Sequence, residues 1–169
     1  MFASEPIEAF ATSTRPIDDL RFTRVDDAVS VTLRFPNERI AQFYCSFGAA
    51  DVDMYRVVGT EGEFTLEPAF RFETPTRLLV STSKGQEIHT FDHCDQFGGL
   101  VSYFSDCIAN GSPPEADGEE GLADIRALLA LEKARQTRAH QKISSPPRPR
   151  HPTADMVRAV PLTTRRILL

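Results

Sequence analysis

His89, His93 and Cys94 stand close together in the stretch HTFDHCDQF, and imidazole and thiolate are donors that zinc takes readily. The metal hypothesis fails a geometric test. H-x-x-x-H brings two rings to one face only on a helix, and this stretch leaves a strand for a loop. No second cysteine pair follows at ligand spacing. The stretch is therefore expected to be a strand end followed by a helix cap, and no metal ligand is assigned. Cys94 beside His93 would offer a thiol nucleophile and its base, but neighbours in an extended chain point to opposite sides. Cys107 falls beside a helical apolar stripe and Cys45 inside a strand, where a thiol packs as a small hydrophobe. The acidic pairs Asp18-Asp19, Asp26-Asp27 and Glu119-Glu120 mark turns and helix starts. No residue is assigned as catalytic.

The stretch YRVVGTEGEFTLEPAF raises a different chemistry, a glycine loop around a phosphate. Such loops place several backbone N–H groups at a helix N-terminus, as in G-x-G-x-x-G or G-x-x-x-x-G-K-[ST]. Neither pattern occurs among the nine glycines. GTEG runs on into EFTLE, a strand, and Glu61 and Glu63 would set negative charge against any phosphate. A hairpin turn is expected, with Gly59 and Gly62 supplying positive φ.

The elements that must hold these groups are written in the periodicity. AVSVTLRF alternates Val29, Val31, Leu33 and Phe35 with Ser30, Thr32 and Arg34, a strand with one buried face. IAQFYCSF continues the alternation after PNER, so the two form an antiparallel hairpin. Further strands are expected over residues 7–14, 55–59, 63–67, 77–83 and 86–91, the last two joined by the glycine turn SKGQ.

The period then changes. Phe97, Leu100, Val101, Phe104 and Ile108 mark one stripe of an amphipathic helix with Asp95 as N-cap and Asn110-Gly111 as its stop. That stripe is expected to lie on the sheet. A second helix begins after SPPEADG, with acids first and bases last as the macrodipole favours, and Leu122, Ile125, Leu128, Leu129 and Glu132 trace its inward stripe. Strands first and helices afterwards predict an α+β fold, an open-faced, mainly antiparallel sheet of about seven strands with two principal helices on one face. The domain is expected over 1–143. A proline-rich basic extension follows over 144–169, with an added strand at RRILL.

Composition bounds the function. With 41% apolar and 25% charged residues, the 169-residue chain is an ordinary globular domain rather than a disordered or membrane protein. Of its 19 Lys and Arg and 24 Asp and Glu, six bases and one acid fall from Lys142 onward. The acidic body before them should repel nucleic acid. The basic tail is expected to fold back on that body. Three cysteines, no signal-like start and no long apolar run predict a cytoplasmic protein with no membrane span. The polar open face of the sheet, bearing Ser30, Thr32, Gln42, Tyr44 and Ser46, suits a homo-oligomeric contact.

EPIEAFAT, VVGTEGEFTLEPAF and the run DQFGGLVSYFSDCIANGSPPEADGEEGLADIRALLALEKARQT together resemble the C-terminal domain of the Gfo/Idh/MocA family of glucose-fructose oxidoreductases and inositol dehydrogenases. The resemblance covers residues 5 to 143. It implies an NAD- or NADP-dependent oxidoreductase of sugars or polyols, in which a Rossmann domain holds the nucleotide and this sheet domain closes the sugar site and builds oligomers. The family's nucleotide fingerprint and its E-K-P motif are not found in these residues. EKA at Glu132 to Ala134 lacks the proline and falls late in a helix. The resemblance therefore implies a substrate-side and oligomerisation domain that binds no cofactor by itself and is inactive without a Rossmann partner, a separate chain included. Within it, His93, Asp95 and Gln96 are the candidate substrate-binding residues, because the loop after the last strand offers hydrogen-bonding groups to a sugar. The alternatives are a non-catalytic binding or assembly module with the same fold, and a metal-dependent isomerase or hydrolase using His89 and His93.

Overall fold

The computed structural model describes residues 4–144 and 152–162. The expected strand at RRILL and most of the proline-rich segment lie outside them. The chain divides into two compact units, Met1–Ala50 with Pro114–Thr153 and Asp51–Pro113 with Ala154–Leu169.

The first unit is a four-stranded antiparallel sheet with one helix. Its strands are β1 (Glu8–Thr14), β2 (Ala28–Phe35), β3 (Arg39–Ser46) and, late in the chain, β8 (Gln141–Lys142), in the order β3-β2-β1-β8. The predicted hairpin is present, with Val31 opposite Phe43 and Phe35 opposite Arg39. Asn37 and Glu38 take positive φ in its turn. Helix α2 (Gly118–Thr137) is capped by Asp117, whose carboxylate accepts the N–H groups of Glu119 and Glu120. It packs on β1 and β2 through Ala134, which meets Ala11 and Val31, with Val29, Leu33 and Leu131 around them.

That contact corrects the predicted stripe. Leu122, Ile125, Leu128 and Leu129 are exposed, while Ala123 and Ala134 are buried. The sheet face beneath is itself lined with alanine at Ala9 and Ala11. Small side chains on both surfaces let the helix backbone come close, so the alanine face wins the contact although each leucine would bury more area.

The second unit holds β4 (Tyr55–Val58), β5 (Gly62–Leu66), β6 (Thr76–Thr82) and β7 (Gly85–Phe91), antiparallel and in sequence order, followed by α1 (Gln96–Asn110). Asp95 caps α1 through the Gly98 N–H, and Gly111 closes it at φ 61°. Both caps are where the sequence put them. The stripe expected to lie on the sheet is outward instead. Phe97, Leu100, Val101, Phe104 and Ile108 are 51% to 69% exposed, and the buried positions of α1 are Gly99 and Cys107.

The expected single sheet of about seven strands is thus two four-stranded sheets, eight strands among the described residues, with α1 and α2 in different units. The break falls between β3 and β4. Asp27 takes the Gly48 N–H and the Ser46 hydroxyl at the end of β3. Two-residue β8 is too short to show a period of two.

Candidate functional site

The GTEG stretch is the hairpin turn its neighbours predicted, but of its two glycines only Gly62, at φ 158°, takes positive φ; Gly59 does not. The Gly59 N–H donates to the Gly62 carbonyl at 2.8 Å, closing the β4-β5 hairpin. Gly62 is required by close approach: a Cβ there would stand 2.3 Å from the Ser81 carbonyl oxygen on β6. Glu63 pairs with Arg56 across the hairpin. Strand follows the turn, and Glu61 lies on it, so the loop does not fit a pyrophosphate.

The segment from β7 into α1 holds the sequence-predicted site residues. His93 and Cys94 are half-buried, Asp95 is the cap and Gln96 is the first, exposed residue of the helix. The Asp95 carboxylate accepts the Gly98 N–H at 2.8 Å, which commits one oxygen to the helix and fills the N-terminus with negative charge. A phosphate is therefore not favoured at this end either. His89, on β7, lies 3.4 Å from Glu87, within its own strand. Among the described residues no group of three or more His, Cys, Asp or Glu side chains is arranged to hold a metal ion. EKA lies on α2, with Glu132 bound to Arg135 and Ala134 fully buried.

A second constellation was passed over by sequence reasoning. Beside α2 in the first unit a cleft of about 470 Å³ opens over Val29, Val31, Phe43 and Leu128. Asp26 stands at its rim between Arg15 and Arg135, each at 2.9 Å. A hydrogen bond from the Ser13 hydroxyl, then hydrogen bonding from the Arg15 guanidinium and the charges of Arg135 and Arg15, hold the Asp26 carboxyl below the usual aspartate range. Glu132 is held down by hydrogen bonds from Arg135 and Gln136, and the Arg135 guanidinium is raised in return. The sequence showed only an acidic pair, Asp26-Asp27. Long-range pairing with residues 11 and 109 positions away has no local signal.

Chemically, the cluster is an ion-paired clamp tying β1, the start of β2 and α2 together. Its carboxylates are engaged by arginine, which leaves neither poised as a base near neutral pH. The loop after β7 offers hydrogen-bond donors and acceptors. The arrangement can border and orient a polar ligand through hydrogen bonds.

Comparison with known proteins agrees with this layout. Residues 1–65 match the family model of the GFO/IDH/MocA C-terminal domain. The D-xylose 1-dehydrogenase (NADP(+)) 2 of Haloferax volcanii is 28% identical over 141 residues, 82% of this chain and 42% of that protein. The D-xylose 1-dehydrogenase [NADP(+)] of Haloarcula marismortui is 32% identical over 113 residues, 66% of this chain and 31% of that one. The chain thus spans less than half the length of these curated relatives. An aldose-aldose oxidoreductase from Caulobacter crescentus, solved with glycerol, shares the fold with a TM-score of 0.76 at 24% identity, over 82% of this chain and 42% of its own. Family model, relatives and fold agree in their likeness to the C-terminal domain of the GFO/IDH/MocA family.

Proposed function

We propose that the chain is the substrate-side and oligomerisation domain of an NAD(P)-dependent sugar or polyol oxidoreductase, idle alone and completed by a dinucleotide-binding domain on the same or another polypeptide. The observation that carries the reading is the alignment of two NADP(+)-dependent xylose dehydrogenases along most of a chain whose own glycine turn cannot seat a pyrophosphate. Hydride transfer needs a nicotinamide against the reacting carbon and a group to move the hydroxyl proton. Residues 93–96 offer polar side chains only, and in this reading the nicotinamide is left to the dinucleotide-binding domain. They are suited to accept and donate hydrogen bonds at the sugar's edge, with His93 and Gln96 freer to do so than the capping Asp95. Self-association through the polar face of β2 and β3, around Thr32, Gln42 and Tyr44, is part of the same proposal.

The test is a pair of assays of polyol oxidation with NADP. The 169-residue chain alone should show no turnover, and adding a separately purified dinucleotide-binding domain of a relative should restore it. Turnover by the chain alone contradicts the reading. A failure of every tested domain to restore activity, with dimers intact, favours the second reading, a binding or assembly module. The exposed apolar stripe of α1 speaks for that second reading, since exposed apolar patches of this kind mark interaction surfaces. Among the described residues no helix is long and apolar enough to cross a membrane.

A further inference from the structure

Residues 154–162 belong to the second unit and, after one short turn at Ala154–Met156, lie along the N-terminal half of α1. The Asp95 N–H, at the helix cap, donates to the Val160 carbonyl at 2.9 Å. One turn further on, Gly99 is buried beneath the segment: a Cβ at Gly99 would stand 2.6 Å from the Arg158 carbonyl oxygen. The Arg158 side chain continues along the helix. Its guanidinium lies 5.6 Å from the Tyr103 ring centre and 3.4 Å from the Asp106 carboxylate. It also donates to the carbonyls of Asp155 and Val157, which fixes the segment's own turn. The contact follows the side of α1 that carries Gly99 and Tyr103, away from the apolar stripe.

We propose that residues 154–162 are a positioning strap, which sets the α1 N-terminus and so holds the loop of His93, Asp95 and Gln96 in its ligand-bordering arrangement. The loop's role rests on the function proposed above; the strap does not. Asp95 is where the two meet. Its carboxylate caps the helix while its backbone N–H is held by the strap, so the loop's exit and the helix's first turn are pinned from both sides. A glycine in mid-helix costs helix stability relative to alanine. At Gly99 that cost is matched by the close seat it gives the strap backbone.

Gly99→Ala separates strap from helix, because alanine favours the helix yet its Cβ collides with backbone that cannot rotate away. In the full chain, amide exchange at Asp95 and tryptic cleavage after Arg158 should both rise by about tenfold or more, as a local opening freed of its main contacts would. Gly121→Ala, with open space around it on α2, should change neither. Asp106→Asn, which removes the charge opposite Arg158, should give a smaller rise in the same direction. Unchanged exchange and cleavage in Gly99→Ala would overturn the strap.

The positioning role is read with D-xylose as probe, by the amide shifts of residues 93–96. Shifts in the wild type that weaken in Gly99→Ala support it, and equal shifts in both proteins refute it. If exchange responds to Gly99→Ala but D-xylose moves no amide in the wild type, the strap stands and the sugar-bordering role of the loop falls.

Discussion

The sheets β3-β2-β1-β8 and β4-β5-β6-β7 have equal strand numbers and the same antiparallel pairing, yet β1 and β2 carry buried residues at Ala9, Ala11, Ala28 and Val31 while β4 to β7 carry none. In the first unit α2 lies along β1 and β2 on a face of alanine. In the second, α1 turns Gly99 and Tyr103 to a strap and leaves Phe97, Leu100 and Phe104 outward. The difference teaches that strand count does not make a finished layer. A sheet is stabilised when something of matching shape covers its apolar side, and only the first unit supplies that cover from its own residues. The second presents apolar surface of the kind that a further domain or a second copy covers.

Substitutions can break or sharpen this contrast. The largest effect should come from Ala134→Leu, which overfills the fully buried wedge between α2, Ala11 and Val31. Overpacking there should cost about 2 to 3 kcal/mol in urea unfolding of the first unit. A loss no larger than that of a surface substitution would show that the alanine face is not the real contact.

Next is the clamp. Asp26→Asn removes the charge shared by Arg15 and Arg135 and should cost about 1 to 2 kcal/mol at neutral pH. The folded carboxyl titrates below its ordinary value. Its stabilisation is therefore full above a pH of about 4 and is lost as pH falls through the folded value. The stability gap between wild type and Asp26→Asn should close over that acid window, and a gap independent of pH would refute the ion-paired account.

Smallest is the change on the outward stripe. Leu100→Ala should alter the stability of dilute monomeric protein by less than about 0.5 kcal/mol. A cost of several times that would mean that α1 is packed through the stripe, as periodicity alone suggested.

The contrast also marks how far the sequence could be read. Local signals were legible: the hairpins at PNER, GTEG and SKGQ, the Asp95 cap and the Gly111 stop all depend on neighbouring residues. The expectation that the basic tail folds back is met at Arg158, which reaches Asp106. What failed was the inference from an apolar stripe to its burial. Hydrophobic spacing shows which side of a helix could pack, and for both helices the contact fell to small residues whose value is close approach. Ala134 carries little apolar area, so it gives almost no signal. Arg15, Asp26 and Arg135 were equally hidden, since their meeting depends on α2 returning to β1 from more than a hundred residues away. Of the candidate loop, the sequence showed the residue types and the cap; the strap over it comes from a part of the chain read only by its composition.

The central claim, that this domain cannot hold the dinucleotide by itself, is tested most directly by titration calorimetry of NADP(H) into the purified chain. The account predicts no saturable heat. Tight binding at one nucleotide per chain would contradict it.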